Sequence, residues 1–450
     1  MLLAGHQPQL FHPGVWFKNF VLSSLAEAHQ AVAINLVIDS DTIKTAAIRV
    51  PSGTVDQPVL ETVEFDRPGE EIPFEERPVE DERLFRSFGG RVARAIGPLV
   101  PHPLIDQLWP RAVARLGEVR NLGLCLAQAR HQLEEAWGLE TLELPQSALC
   151  RLQAFHWFTA HLLAHLPRFW DTYNRSLAEY RQVHGLRSKS HPVPDLAIEG
   201  DWLEAPFWIW SSTNPHRRHV FVRQQRDQIV LSDRAGLEIA LDLTPEGLAD
   251  RAVEQLAALE SQGVKLRTRA LVTTMFARLL LSDLFLHGIG GAKYDQLTDQ
   301  LIRRFFDLRP PAFMTATATV RLPIAHEPIQ VDALRRIDQT LRAFRYHPER
   351  HLDRRRVSAE QQRDVANWAE QKQAAVMLAK TPQNAHARHL AIQEANAALQ
   401  PYLARQRKEL LAARGGLEPR LRAERILASR EYAFCLFPES SLRNLMHELS

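Results

Sequence analysis

The chain has 450 residues, of which 45% are hydrophobic and 24% are charged, close to the average of globular proteins. Its 55 basic and 53 acidic side chains leave a net charge of +2, so neither nucleic acid nor an anionic membrane is expected as the main partner. At roughly 150 residues per domain, this length leaves room for two or three domains.

The N-terminal segment and the cysteines indicate a cytoplasmic protein. MLLAGHQPQLFHPG has no basic segment before its apolar run, and Gly5 ends that run, so it does not resemble a signal peptide. No stretch reaches the roughly 18 apolar residues that a membrane span needs. Cys125, Cys150 and Cys435 are far apart and lack metal-ligand spacing, which fits free thiols in a reducing compartment. No bound metal is expected.

The N-terminal region predicts a strand–helix–strand unit. A short apolar run over 1–4 precedes a polar loop over 6–14, and an apolar face from Val15 to Glu27 predicts a helix. The next run, AVAINLVIDSD, is nearly continuous and apolar, which is typical of a strand buried on both faces of a parallel sheet. Residues 1–80 are therefore predicted to form the first half of a Rossmann-like core.

Two insertions and a second unit follow. Residues 81–195 predict a helical insertion, and 196–235 predict a small β-rich insertion with a hairpin that turns near Arg226. Residues 236–325 predict the second half of the core. Its parts are a helix over 270–281, a strand over 284–287, a glycine turn over 288–291, a helix over 292–306 and a strand over 312–322.

The C-terminal region predicts long helices. Residues 326–450 are rich in Arg, Gln, Ala, Leu and Glu, and their pattern predicts helices over 332–344, 358–379 and 383–413, paired as a coiled coil and interrupted by Pro401. A closing helical segment ends the chain. The fold class expected is α/β, with a Rossmann-like, mainly parallel sheet, helical insertions and this C-terminal helical region.

The loop after the first strand carries the first candidate site, with Gly5, His6, Gln7 and His12. In open α/β sheets, ligands bind beyond the carboxyl ends of the strands, and a helix N-terminus favours phosphate or carboxylate. Two histidines there could donate hydrogen bonds to an anion or act as general acids. The alternative is that both histidines only cap the helix and pack.

Two more candidate sites follow later strands. Asp39 and Asp41 end the second strand, where a carboxylate could hold an ammonium group, accept a ribose hydroxyl or act as a base, or could simply form a turn. The third site is a glycine-rich turn and the start of its helix, with Gly288, Gly290, Gly291, Lys293 and Tyr294. Glycines let a ligand approach the backbone, and a lysine in a first helical turn is unfavourable unless an anion balances it.

These motifs resemble those of the cysteine-adding enzymes of bacillithiol biosynthesis (the BshC family of cysteine ligases). GHQPQLFHPGVWFKNFVLSSLA followed by IDSDT resembles the first signature of that family, a Gly-Gln-Gln-x-Gly-Leu loop, a helix, a strand and an acidic segment. RTRALVTTMFARLLLSDLFLHGIGGAKYDQLTDQL resembles its second signature, and AERILASREYAFCLF resembles its closing segment.

Residue by residue, the match is partial. Gly5 and Gln7 match the first loop, and His6 stands where the family has Gln. Asp39 and Asp41 match the acidic segment. Gly290 and Gly291 match the Gly-Gly turn of the second signature. Lys293 falls near a position where the family has Glu.

The resemblance implies a Rossmann-like core related to nucleotidyltransferases, a coiled coil that mediates a homodimer, and an amide-forming reaction. That reaction joins cysteine to the amine of a glucosaminyl malate. In this interpretation His6 and His12 bind or protonate an anionic group, Asp39 or Asp41 holds the ammonium, and Lys293 meets a carboxylate or phosphate. Two alternatives stay open, nucleotidyl transfer to a small molecule and a non-catalytic dimeric scaffold. Whether ATP is consumed also stays open.

Overall fold

The computed structural model describes residues 1–246, 249–328, 332–352 and 358–447. Its strands in chain order are β1 (Leu2–His6), β2 (Ala33–Val37), β3 (Ala47–Gly53), β4 (Pro58–Glu64), β5 (Thr141–Pro145), β6 (Ile198–Glu199), β7 (Trp202–Ser211), β8 (Asn214–Gln224), β9 (Ile229–Ser232), β10 (Glu238–Leu241), β11 (Val264–Thr268), β12 (Leu284–His287) and β13 (Phe313–Thr315).

The α-helices are α1 (Pro13–Ala28), α2 (Glu82–Ile96), α3 (Ile105–Val119), α4 (Leu122–Ala136), α5 (Gln146–Leu149), α6 (Gln153–Ala164), α7 (Leu166–Val183), α8 (Ala249–Ala258), α9 (Ala270–Phe276), α10 (Ile289–Leu301), α11 (Asp332–Tyr346), α12 (Ala359–Met377), α13 (Ala385–Leu427) and α14 (Glu439–His447). Short π-helical segments, Ala277–Leu281 and Ile302–Phe306, extend α9 and α10.

Five strands form a wholly parallel sheet in the order β13–β12–β1–β2–β5. β1 lies in its centre, and Leu3 is paired with Phe285 on one side and with Ile34 on the other. Leu3 and Ala4 are buried, as expected for a short apolar run inside a parallel sheet. The predicted α/β class with a mainly parallel sheet is confirmed, and the carboxyl ends of all five strands lie at one edge.

A second sheet is antiparallel, with the order β10–β9–β8–β7–β11 and with β6 beside β7. The sequence pattern placed a separate β-rich insertion at 196–235, but this sheet also takes β10 and β11 from residues assigned to the second half of the core. The reason is that β7 is buried along most of its length, with Ala205, Phe207 and Ile209 fully covered. A strand so buried needs a partner on each side, and β11 supplies the second.

One apolar cluster joins both sheets and the helices packed on them. Leu3 and Leu36 contribute from the parallel sheet, Phe207 from the antiparallel sheet, and Phe276 and Phe305 from the helical connections. Burying such a side chain stabilises the fold by about 1.5–3 kcal/mol. This shared core fixes the two sheets against each other around the carboxyl edge of the parallel one.

The chain divides into two compact units. The first contains residues 1–52, 60–323 and 430–450, and the second contains residues 53–59 and 324–429. The sequence pattern put 326–450 into one C-terminal region, whereas the last 21 residues, 430–450, belong to the first unit. None of the described helices is long and apolar enough to span a membrane.

In the second unit, α11 and α12 both pack against α13, which has 43 residues and, at 1.5 Å per residue, is about 64 Å long. Pro401 and Pro419 lie inside α13, so the expectation that Pro401 interrupts the helix is wrong. A proline inside a helix costs about 3 kcal/mol. Leu399 and Leu403 flank Pro401 and are fully buried, and their packing offsets that cost.

The strand predicted over 312–322 is also wrong beyond its first residues. Only Phe313–Thr315 pairs with β12, and Ala316 makes one further hydrogen bond, from its backbone N–H to the His287 carbonyl. The chain then leaves the sheet and brings the Ala318 carbonyl oxygen against Gly14 at the start of α1. β-forming side chains favoured a longer strand, but β13 is an edge strand and the residues after Ala316 have no partner strand in the described chain.

Candidate functional site

The carboxyl edge of the parallel sheet collects the polar side chains that follow its strands. Gln7 follows β1, the Asp39–Asp41 segment follows β2, Gln146 follows β5, and Gly288 follows β12. Because the strands are parallel neighbours, these positions share one edge. The sequence predicted this for the segments after β1, β2 and β12, but not for Gln146, since β5 lies in a region predicted to be helical.

A cavity of about 250 Å³, here called the inner cavity, opens at this edge. Gln7, Asp41 and Gln146 line it from the parallel sheet, and Trp208 and Arg217 line it from the antiparallel sheet. Tyr173 and Arg269 add to the polar part of its wall, together with Ser40, Thr268 and Thr273. The inner cavity thus has acidic, cationic, amide and aromatic groups within one small volume, which is typical of a binding site for a small polar molecule.

An ion pair between Arg217 and Asp41 forms one wall of the inner cavity. The Arg217 guanidinium donates to Asp41 Oδ1 at 3.0 Å and to the Ser40 carbonyl at 3.0 Å. It also donates to Thr42 Oγ1 at 3.2 Å. The other carboxylate oxygen of Asp41 accepts a 2.8 Å hydrogen bond from Gln7 Nε2. The amide that follows β1 and the carboxylate that follows β2 are therefore held together.

A second cavity of about 490 Å³, here called the outer cavity, is also lined by this pair. Asp41 and Arg217 line both cavities. The remaining wall of the outer cavity is part polar and part apolar. Its polar members include Gln9, Thr42, Lys44 and Glu71, and Phe65 is one of its apolar members. The Arg217–Asp41 pair thus borders both cavities.

A second guanidinium lies beside the first. Arg269 packs on the Trp208 ring at 5.1 Å, and Arg217 packs on the same ring at 4.7 Å. Arg269 is held by Glu204 at 2.5 Å, and Glu204 also binds His219. Two arginines on one aromatic ring give the inner cavity a cationic wall that suits a carboxylate or phosphate.

The sequence analysis missed Arg217, Trp208 and Arg269. They come from the antiparallel sheet and from the turn into α9, which no motif connected with the first loop. The pairing of β7 with β8 determines which face of the sheet Trp208 lies on. Trp208 pairs with His219, and a register shift lies between Ala205 and Trp208. A run of basic residues in β8, HRRH, was visible but carries no specific signal on its own.

Asp39 does not line either cavity. It is buried, and its carboxylate accepts hydrogen bonds from the Ser147 backbone N–H at 2.9 Å and from the Ser147 hydroxyl at 2.5 Å. Burial raises the pKa of Asp39, and the Ser147 hydrogen bonds oppose that rise. Asp39 thus links the end of β2 to the start of α5, and its contacts indicate a structural role.

His6, predicted to bind or protonate an anionic group, lines neither cavity. Its Nδ1 donates to the Gln7 carbonyl at 3.2 Å, and its ring packs edge-on against Phe11. Burial and the neighbouring Lys18 ammonium lower the pKa of His6 from 6.5 to about 3, so the ring is neutral at pH 7. Lys18 itself is buried and donates to the Gly5 carbonyl at 2.7 Å, and burial lowers its pKa to about 8. The Gly5 carbonyl therefore binds Lys18 inside the protein.

The start of α1 is covered by the chain itself. His12 precedes the helix and its side chain makes no capping hydrogen bond. A Cβ placed on Gly14 would lie 2.2 Å from the Ala318 carbonyl oxygen, so the backbone at Ala318 closely approaches this helix end. A carbonyl oxygen occupies space beside the helix N-terminus where the sequence predicted a phosphate or carboxylate.

The glycine turn after β12 is part of α10 from Ile289 onward, and its glycines differ in their surroundings. Gly290 faces open space, whereas a Cβ on Gly291 would lie 2.7 Å from His287 Nδ1. His287 in turn hydrogen-bonds through Nε2 with Asp295 at 2.8 Å. The need for glycine at Gly291 is thus explained by internal packing.

Lys293 and Tyr294 lie on the same helix and line neither cavity. The Lys293 side chain is exposed, and its carbonyl accepts a hydrogen bond from the Tyr180 hydroxyl at 2.9 Å. Tyr294 is half-buried and packs on the apolar core. Of the sequence-predicted site residues, the structure brings only Gln7 and Asp41 to the inner cavity.

A group of potential metal ligands lies elsewhere, with His131, Glu134 and Glu143 close enough to share an ion. Arg130 already donates to Glu134 at 2.7 Å and to Glu143. Burial would raise the pKa of Glu134, but Arg130 and the hydrogen bonds from its neighbours lower it. The Arg130 guanidinium therefore already balances the charge of Glu134 and Glu143 at the place where a metal ion would bind.

No known family model matches this sequence, and a comparison with curated proteins gives no significant match. The site is therefore interpreted from its own geometry.

Proposed function

We propose that this protein is an enzyme that condenses two small molecules at the carboxyl edge of its parallel sheet. The observation that supports this most is the pair of cavities that share Arg217 and Asp41. A condensing enzyme must hold two reactants next to each other, because fixing their positions replaces a bimolecular encounter. One guanidinium–carboxylate pair that borders both spaces can orient both reactants.

The strand order supports a Rossmann-like core within this proposal. Numbered by their order along the chain, the parallel strands β1, β2, β5, β12 and β13 stand in the spatial order 3-2-1-4-5. This is the order of the doubly wound dinucleotide-binding fold, which places ligands outside the carboxyl ends of its strands. Fold alone does not assign a reaction, so the reaction rests on the site.

The inner cavity suits a free amino acid. Its volume of about 250 Å³ lies below the range of about 300–1,000 Å³ that holds drug-sized ligands. Arg217 and Arg269 can bind a carboxylate, and Asp41 can bind an ammonium group. Together with the resemblance to the bacillithiol cysteine ligases, this supports cysteine as the amino acid.

The outer cavity suits the acceptor. Its wall has neutral hydrogen-bonding groups on Gln9 and Thr42, a cationic donor on Lys44 and an anionic acceptor on Glu71. This combination fits a hydroxyl-rich amino sugar with an acidic substituent. The proposed reaction forms a C–N bond between the cysteine carboxyl carbon and the amine of this acceptor. An activated acyl donor is required, and ATP is the proposed source of activation.

A nucleotidyltransferase-like reaction is the second candidate. The outer cavity, about 490 Å³, is large enough for part of a nucleotide, and Lys44 and Arg217 can meet its phosphates. In this case the nucleotide is the substrate whose phosphoryl group is attacked.

A thermal-shift screen separates these candidates. The wild-type protein is heated with L-cysteine, with an amino-sugar malate, and with ATP plus Mg²⁺, alone and in pairs, because a ligand of the native state stabilises it by RT ln(1 + [L]/Kd). Stabilisation by cysteine and by the amino sugar supports the ligase. Stabilisation by ATP alone supports nucleotidyl transfer, and no stabilisation by any of them supports a non-catalytic scaffold. A Gln7→Ala variant, which loses an amide that lines the inner cavity, should weaken the cysteine response.

We also propose a cytoplasmic homodimer. The described cysteines are free and buried, which fits a reducing compartment. The second unit exposes several large apolar side chains. Val376 and Met377 lie at the end of α12, Leu378 follows it, and Leu390 and Leu411 lie on α13. Covering such an apolar surface with the same surface of a second copy gives a twofold interface.

A further inference from the structure

A histidine–carboxylate pair lies on the same face of the antiparallel sheet as the Arg217–Asp41 pair. His219 hydrogen-bonds through Nδ1 with Glu204 Oε1. The other oxygen of Glu204 accepts a 2.7 Å hydrogen bond from the Ala197 backbone N–H. Glu204 is buried, whereas the His219 side chain is 47% exposed. A buried carboxylate thus fixes an accessible imidazole.

The position of His219 follows from the strand pattern. His219 and Arg217 are two residues apart on β8, so their side chains lie on one face of the strand. His219 is also the cross-strand partner of Trp208, and their rings lie 4.9 Å apart. Trp208 and Arg217 line the inner cavity and His219 does not, so the imidazole lies behind this wall, in contact with its Trp208 ring.

The hydrogen bond to Glu204 determines which ring nitrogen can take up a proton. When Nδ1–H donates to the carboxylate, Nε2 carries the free lone pair. In the described part of the chain, no hydrogen bond to His219 Nε2 is present. The surrounding charged groups are Glu204 on β7, Arg217 on β8 and Arg269 before α9. Arg269 also binds Glu204, at 2.5 Å, so the carboxylate charge is shared between a guanidinium and the imidazole.

The electrostatics of Glu204 fit this arrangement. Burial alone would raise the pKa of its carboxyl group. The hydrogen bonds from His219 and from the Ala197 N–H, together with the Arg269 charge, lower that pKa below its ordinary value. Glu204 therefore stays ionised at neutral pH and can accept the hydrogen bond from His219 Nδ1–H that orients the ring.

We propose that His219, oriented by Glu204, is the proton acceptor for the amine that reacts at this site. The proposal rests on the condensing function above and assigns a residue to it. The acceptor ammonium gives one proton to His219 Nε2 and keeps its electron pair on nitrogen. That pair forms the C–N bond to the carbonyl carbon of an acyl phosphate or acyl adenylate. The C–O bond to the phosphate group breaks, and the leaving phosphate or nucleotide takes the bonding pair. The nitrogen then still carries one proton more than the amide, and it releases this proton to the leaving phosphate group or to water.

The test compares His219 with a second histidine on the same strand. His216 is also 47% exposed, but its partner is the exposed Glu70, whereas His219 contacts the buried Glu204 and the cavity-lining Trp208, so His216→Gln is the matched control. Product formation from L-cysteine, an amino-sugar malate and ATP plus Mg²⁺ is followed by mass spectrometry. His219→Ala should lower kcat by at least about 100-fold with KM for cysteine changed little, as for loss of a general base. The acidic limb of the pH–rate profile should disappear, and added imidazole should restore part of the rate.

Each outcome decides one question. If His219→Ala and His216→Gln react at the wild-type rate, the role of His219 is refuted and the condensing function stands. A loss in His219→Ala that appears in KM, with the acidic limb retained and no rescue by imidazole, assigns His219 only to holding Glu204 and also refutes the proposal. If the wild-type protein forms no product, the condensing function itself fails, and the proposed role fails with it.

Discussion

Replacing Arg217 by methionine should weaken both the fold at the carboxyl edge and the binding of a carboxylate ligand. Methionine keeps an apolar stem on the Trp208 ring but removes hydrogen bonds to Asp41, Ser40 and Thr42. The paired side chains are 17% and 34% exposed, so solvent screens part of their attraction. Counting about 1.5 kcal/mol for the charged hydrogen bond and about 0.5 kcal/mol for each neutral one gives a loss of about 2–3 kcal/mol.

Two assays measure these effects. At about 2–4 °C per kcal/mol, the thermal midpoint of Arg217→Met should fall by about 4–12 °C. Isothermal titration with L-cysteine should show an affinity at least tenfold lower, because one lost charge-assisted hydrogen bond is worth about 1.4 kcal/mol or more.

Arg218→Met is the matched control for this variant. Arg218 is the next residue, points to the opposite face of β8 and lies 3.7 Å from Asp233. Its replacement should leave cysteine affinity unchanged. An unchanged affinity in Arg217→Met, or an equal loss in Arg218→Met, would refute the assignment of Arg217 to the ligand site.

Three further predictions concern the glycine turn, pH and assembly. Gly291→Ala should lower the free energy of unfolding by about 1–3 kcal/mol because its Cβ meets His287, whereas Gly290→Ala, with nothing within 4 Å, should be neutral or stabilising in the same denaturation assay. Since the pKa of His6 is lowered to about 3, the unfolded chain binds the proton first, and stability should fall as pH drops from 6.5 towards 3. His6→Gln should flatten that slope in urea titrations, and His29→Gln, at an exposed position, should not. Light scattering at micromolar concentration should give twice the 51.3 kDa chain mass, and a monomer mass that is unchanged on tenfold concentration would contradict the dimer.

The sequence predicted β1, β2 and β12 because the signals of these strands are local. It missed β5, which lies within residues 81–195 that were predicted to be helical, and it made β13 too long. Continuous apolar runs, such as the one that forms β2, and the polar or glycine-rich segments after them specify buried strands without reference to the rest of the chain. Their shared edge follows from parallel pairing alone. Gln7 and Asp41 could therefore be assigned to one site from the sequence.

The orientation of each side chain at that edge could not be predicted. Asp39 and Asp41 lie two residues apart in the same short segment, yet Asp39 is braced by Ser147 and Asp41 lines both cavities. The difference depends on what α5 and β8 bring to them. Arg217 and Trp208 were missed for the same reason. The pairing of β7 with β8 includes register shifts, and these cannot be predicted from the local sequence pattern.

The central claim is that the two cavities form one site for two reactants that bind at the same time. The most direct measurement is a calorimetric titration of L-cysteine into the wild-type protein, first alone and then saturated with the amino-sugar malate. We predict one cysteine per chain in both titrations, with an affinity that the acceptor leaves unchanged or increases. Loss of cysteine binding in the saturated protein would show that both ligands compete for one space, and would contradict the claim.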